Sequence, residues 1–227
     1  MTFVAMCMFL ASCNLNNSGS TNPQQGAFLL ANVSPDAPPL SIYINNSYFG
    51  QGLSYGNYTA YYLATPGSYT FSFFDSSSTT TPKLSKTVNI NALTNYSFFV
   101  VDSFKSVNAS FVPDIYAKPA GDSVCVRFFN FSPNAGALSL ADATSDSTLY
   151  STRSFNDQDG SSTLVSYNRM YTGTSAIYNF ELRKPDGTVV ASRADTLSGG
   201  HVYTIFAKGF LDSTGNKALG IGQIQNF

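Results

Sequence analysis

The sequence predicts an all-β protein built as two tandem immunoglobulin-like β-sandwich domains. Three observations predict it. Charged residues are only 11% of the 227, against roughly 25% in an ordinary soluble chain. Phe (19) and Tyr (14) are plentiful and alternate with Ser, Thr and Asn, as a half-buried pleated surface requires. A strand-turn-strand pattern occurs twice, about a hundred residues apart.

The chain opens with MTFVAMCMFLAS, which is apolar but shorter than the ~20 residues that span a bilayer as a helix. Residues 1–12 read as the hydrophobic part of a secretory signal. Leu10-Ala11-Ser12-Cys13 has the form of a bacterial lipoprotein signal box: an aliphatic residue, two small residues, then cysteine. In that reading the Cys13 thiol receives lipid and becomes the first residue of the mature chain. Acyl chains anchor by burying CH₂ groups at ~0.8 kcal/mol each. The first basic residue is Lys83, so the basic opening of a signal is missing and a truncated start is expected. Residues 13–25 are polar and rich in Asn, Ser and Gly, as in a lipidated tether.

The body is duplicated. AFLLANVSPDA (27–37) opens the first half and CVRFFNFSPNA (125–135) the second; Asn32, Ser34, Pro35 and Ala37 match Asn130, Ser132, Pro133 and Ala135. Each copy is an apolar strand entering a Ser-Pro-Asx turn, where proline fixes φ and the Asx side chain is expected to hold its own turn backbone. Strands follow at LSIYI (40–44) and ALSL (137–140). GSYTFSFFD (67–75) corresponds to SAIYNFEL (175–182), and NYSFFVV (95–101) to VYTIFA (202–207). KPDG (184–187) is a β-turn sequence between two of the later strands. Domains are expected at 26–117 and 121–227, joined near KPAGD (118–122), with strands at the 8–12-residue spacing of an immunoglobulin-like sandwich.

Within the first half, NVSPDAP, LSIYIN, Tyr55-Gly56 and PGSY (66–69) together resemble the bacterial domain-of-unknown-function family 4397. Ser34, Pro35, Asp36, Ala37 and Pro38 carry the first motif, Ile42 to Asn45 the second, and Pro66, Gly67 and Tyr69 the last. The second half matches only as a diverged copy. The resemblance implies sandwich modules in secreted or lipid-anchored envelope proteins, including those of the Bacteroidota, and supplies no active-site residue.

The function classes narrow by chemistry. Twelve basic and thirteen acidic residues give a net charge of −1, so no basic stripe exists for nucleic acid. The single histidine, His201, and the single glutamate, Glu181, leave no triad or carboxylate pair to single out. Cys125 sits in a strand pattern and reads as a small buried hydrophobe. No cofactor is expected. Asp157 and Asp159, in FNDQDGSS (155–162), are the candidate metal ligands, alternating as oxygen donors in a glycine-containing loop. Tyr55, Tyr58, Tyr61 and Tyr62 are the candidate ligand-binding residues: four tyrosines in eight positions of a presumed strand put some of them outward, able to anchor a protein or stack on a sugar.

The expectation is therefore a non-enzymatic, lipid-anchored cell-envelope protein of the outer membrane, serving adhesion, assembly or ligand presentation. It would contact the membrane through its N-terminal lipid and envelope proteins or glycans through its body. The alternative is a carbohydrate-binding accessory of a polysaccharide-uptake system.

Overall fold

The computed structural model describes residues 24–78 and 80–227; Cys13 and most of the tether lie outside them. Among the described residues, sixteen strands form four four-stranded sheets. The first half supplies β1 (Gly26–Asn32), β2 (Leu40–Ile44), β3 (Ser47–Leu53), β4 (Tyr62–Ala64), β5 (Gly67–Asp75), β6 (Leu84–Ile90), β7 (Asn95–Val101) and β8 (Asn108–Pro113). The second supplies β9 (Ser123–Asn130), β10 (Leu138–Asp142), β11 (Ser147–Arg153), β12 (Asn168–Tyr171), β13 (Ser175–Arg183), β14 (Val189–Ser198), β15 (Val202–Lys208) and β16 (Gly220–Gln225). Two short 3₁₀ turns, Phe104–Ser106 and Gly215–Lys217, complete the regular structure.

Both halves use the same strand order. Sheets β3-β2-β5-β6 and β4-β1-β7-β8 form the first sandwich; β11-β10-β13-β14 and β12-β9-β15-β16 form the second. The pairings agree in direction too: β1 runs parallel to β7 and β9 parallel to β15, among otherwise antiparallel neighbours. The Ser-Pro-Asx turns are built alike. Asn32 Nδ2 donates to the Leu53 carbonyl at 2.9 Å and its Oδ1 accepts from Ser34 N at 3.1 Å; Asn130 does the same with the Arg153 carbonyl at 3.0 Å and Ser132 N at 3.1 Å. A buried Asn thus satisfies the backbone where the chain leaves the sheet.

The Asx side chain reaches further than expected. Asp36 Oδ1 accepts from Phe104 N at 2.7 Å and Asn134 Oδ1 from Leu211 N at 2.8 Å. Each ties its turn to a distant loop, and an uncharged Asn suffices in the second half. The KPDG turn forms as predicted, with Gly187 N donating to the Lys184 carbonyl at 2.9 Å and Gly187 at φ 86°, a left-handed conformation that glycine takes without steric cost.

Three cores hold the body together. Phe28, Leu30, Ile42, Phe71, Phe73 and Phe98 are among the residues that fill the first sandwich. Val126, Phe128, Leu140, Phe180, Leu182 and Ile205 are among those in the second. The third core lies between the two sandwiches: Leu29, Ala31, Val33, Phe99, Val101, Phe129, Phe131, Phe206 and Ile224 meet there. Strand geometry explains it, because successive side chains point to opposite faces. In β1, Phe28 and Leu30 face the first core while Leu29 and Ala31 face the third, and both β1 and β9 are buried along their whole length. Phe99 packs against Phe131 at 4.8 Å and Phe129 at 5.9 Å between ring centres. The sandwiches are therefore layers of one continuous body, and sheets β3-β2-β5-β6 and β11-β10-β13-β14 are the outer ones.

A buried ion pair crosses this third core. Arg127, in the middle of β9, bonds to Asp114, and neither side chain is exposed to solvent. Arg127 also donates to the Pro113 carbonyl at 3.1 Å and to Thr204 Oγ1 at 2.9 Å, and its guanidinium lies over Tyr167 and Phe129. Asp114 accepts from Tyr61 OH at 2.6 Å and from Ser97 Oγ at 2.9 Å. Both charges of this pair are thus met by each other and by hydrogen bonds, the condition under which a buried pair is tolerated.

Candidate binding surface

The tyrosine segment is a loop, not the strand its spacing suggested. Only Tyr62 belongs to a strand, as the first residue of β4, and Tyr58 makes an isolated bridge to Ala31. Gly56 turns the chain at φ 81°, and the segment then runs along β1 by backbone bonds: Asn32 N to the Asn57 carbonyl at 3.0 Å, and Thr59 N to the Leu30 carbonyl at 2.9 Å. The expected in-and-out alternation is replaced by four separate environments.

Tyr61 points inward. Its hydroxyl donates to Asp114 and accepts from Asn226 Nδ2 at 3.0 Å, and its ring stacks on Phe227 at 4.7 Å. Burial, then the Asp114 charge, push its phenol well above the usual tyrosine range. Tyr55 faces the second sandwich. Lys208 Nζ sits over its ring at 4.9 Å, and its hydroxyl is buried without a hydrogen-bond partner among the described residues. Burial pushes this phenol up to about 12 and the Lys208 ammonium down. Both residues serve the junction between the halves.

Tyr58 and Tyr62 remain exposed, at 47% and 42%. They flank an open cleft of about 400 Å³ whose wall includes Ile42, Phe49, Leu53, Asn57 and Thr59. The Tyr62 ring meets Phe49 edge-on at 4.8 Å between centres. Among the described residues, no charged side chain lines this cleft. Its chemistry suits an apolar or uncharged polar group, held by rings on one side and amide or hydroxyl groups on the other.

The two aspartates proposed as metal ligands are not brought together as a site. Asp157 takes Arg153 through both carboxylate oxygens and accepts from Ser154 N at 2.9 Å. Asp159 pairs with Lys86 of the first sandwich at 3.0 Å and accepts from Phe111 N at 3.3 Å. Between them, the wholly buried Gln158 donates to Ser110 Oγ at 2.9 Å. The loop docks one sandwich on the other, and its carboxylates are spent on arginine, lysine and backbone N–H groups. Among the described residues, no group of three or more His, Cys, Asp or Glu side chains assembles as a metal site.

Asp142 is the buried end of β10, where it accepts from Ser145 Oγ at 2.7 Å. Cys125 is buried, and burial pushes its thiol up, away from a reactive thiolate. It borders a second, mainly apolar cleft of about 500 Å³ with Ile115, Tyr116, Tyr167 and Arg169. His201 precedes β15, with Nδ1 at 3.2 Å from the Phe227 carbonyl.

No curated protein matches the chain. Among solved structures, it is similar to the family 41 carbohydrate-binding modules of streptococcal virulence factors, described for alpha-glucan recognition, at 10% identity and TM-score 0.26 over 87% of this chain and 96% of that one. A streptococcal virulence factor described for alpha-glucan binding matches at 13% and 0.24 over 80% and 92%. The multi-modular glycogen-degrading pneumococcal virulence factor SpuA matches at 13% and 0.22 over 79% and 20%. Scores this low carry no argument about ligand. The sequence profile described as Domain of unknown function (DUF4397) matches residues 28–141, just over half the chain, covering the first sandwich and running into β10. The chain thus belongs to the DUF4397 family.

Proposed function

We propose that this protein is a non-enzymatic binding module of the cell envelope, tethered through lipid on Cys13 and holding a partner at the Tyr58–Tyr62 cleft. The observation that supports it is the division of labour among the four tyrosines. Tyr55 and Tyr61 are absorbed by the junction between sandwiches, while Tyr58 and Tyr62 stay outside on the same backbone segment, beside an uncharged cleft. Ring area held on a rigid support is an economical contact, because tyrosine loses little side-chain freedom on binding. The third core ties the sandwich that carries this contact to its neighbour.

Two measurements test the reading separately. A photo-crosslinking residue at position 58, in the native envelope, is expected to give a discrete adduct that the same residue at exposed Val189 does not. Equal labelling at both positions would remove the cleft from consideration. Mass spectrometry of the native protein is expected to find an acylated N-terminal Cys13. An unmodified Cys13 thiol on a chain still carrying residues 1–12 would sink the anchor.

A further inference from the structure

The outer face of the first sandwich carries a row of rings that neither core uses. Tyr43 of β2 meets Tyr48 of β3 at 5.4 Å and 71°, and Phe74 of β5 at 4.9 Å and 62°. None of the three belongs to the first core or packs against it, and Tyr48 is 56% exposed. Beside the rings runs a double row of hydroxyls: Thr70 with Thr87, and Ser72 with Ser85, each pair at 2.8 Å with either oxygen able to donate. The outward positions of β2, β5 and β6 hold no charged side chain.

The second sandwich is an internal control. Its outer sheet has the same strand order, and the registers place Ala141 where Tyr43 stands, Thr148 where Tyr48 stands and Arg183 where Phe74 stands. Arg183 is occupied there by Glu181 and Asp146. The topology forms without rings on that face, so folding does not account for them.

We infer that the Tyr43–Tyr48–Phe74 face binds a neutral polysaccharide. Rings set about one strand apart offer apolar surface to the C–H faces of successive sugars. The adjoining hydroxyls both donate and accept, as sugar hydroxyls do. An anionic chain finds no cation on this face. A protein partner would call for an apolar centre, whereas rows of hydroxyls border the three rings. The site uses no side chain of the Tyr58–Tyr62 cleft and does not depend on the anchor.

Affinity electrophoresis of the full chain through gels containing α-glucan, β-glucan, mannan, xylan or an anionic polysaccharide tests it. At least one neutral polymer is expected to retard the protein. The Y43A/Y48T variant, carrying the residues that the second sandwich tolerates, should bind that polymer roughly tenfold more weakly, the scale of losing aromatic contacts. Its urea midpoint is expected to stay near that of the parent, and T148A should bind as the parent does. Retardation by none of the neutral polymers, retardation only by the anionic one, or retardation unchanged in Y43A/Y48T would each overturn the proposal. So would a dimer of the parent chain that Y43A/Y48T abolishes, since a second copy would then occupy the face.

Discussion

Replacing Arg127 by methionine tests the account of the shared core most directly. Methionine fills much of the arginine stem's volume but leaves Asp114 buried without its cation, with the Tyr61, Ser97 and Tyr167 hydroxyls as side-chain donors. Breaking one side of a buried pair costs about 3–5 kcal/mol, because the remaining charge is uncompensated. With a urea m-value near 3 kcal/mol/M, that lowers the unfolding midpoint by roughly 1–2 M. The sharper expectation is a change of sign. Asp114→Asn alone should destabilise, since it leaves the arginine unpaired. In the R127M background it should stabilise, since it removes the stranded charge while its carbonyl oxygen still accepts from Tyr61 and Ser97. Urea unfolding of the four proteins, followed by circular dichroism, measures the cycle. An R127M cost below about 1 kcal/mol would place the pair among ordinary exposed ones, and failure of D114N to recover any of the R127M loss would refute the desolvation argument.

Two further outcomes follow from the same residues. Tyr61→Phe removes a donor to Asp114 and an acceptor from Asn226 and should cost about 1–3 kcal/mol in urea unfolding, whereas Tyr58→Phe, at an exposed position, should be within about 0.5 kcal/mol of the parent. Alkali should unfold the protein through its buried phenols. Tyr55 has its pKa raised from 10.0 to about 12, so the folded state holds that proton more tightly than the unfolded chain, and the stability this gives is present below pH 10 and lost as pH rises toward 12. Tyr61, Tyr150 and Tyr167, raised chiefly by burial, act in the same direction. Tyrosinate absorbance should therefore rise in two stages, exposed rings first and buried rings together with loss of the fold; one smooth titration of all 14 tyrosines would count against the buried network.

The sequence made the strands legible wherever one face is wet. LSIYI and GSYTFSFFD alternate or nearly so, and the strands form at those boundaries. The repeated Ser-Pro-Asx turns were legible because a turn's chemistry is local. The junction was not, because it depends on which strands lie back to back. Its signal was nevertheless present: AFLLA is an unbroken apolar run and CVRFF is broken only by Arg127, the mark of strands covered on both faces. A cation there needs a buried partner, which pattern reading does not locate. The tyrosine loop misled for a related reason. Spacing alone reads as a strand, but the left-handed turn at Gly56 and bonding along β1 decide where each ring points. The carboxylates of the FNDQDGSS loop, read as candidate metal ligands, are taken instead by Arg153, Lys86 and backbone N–H groups, partners that the loop's own composition does not reveal.

The two halves show what the fold requires and what it leaves free. Both keep the Asn that closes the first turn, the Asx tie to a distant loop and the parallel pairing at the centre of the inner sheet. They differ on the outer sheets, where no core constrains the side chain. One face carries three rings and paired hydroxyls; the other carries an arginine held by two carboxylates. Exposed aromatic area has no folding role there that the second half does not meet without it, and it raises the risk of unwanted association. Rings kept on one outer face under those conditions point to a ligand, and the charged, ion-paired face of the second half gives the same polysaccharide nothing comparable to stack on.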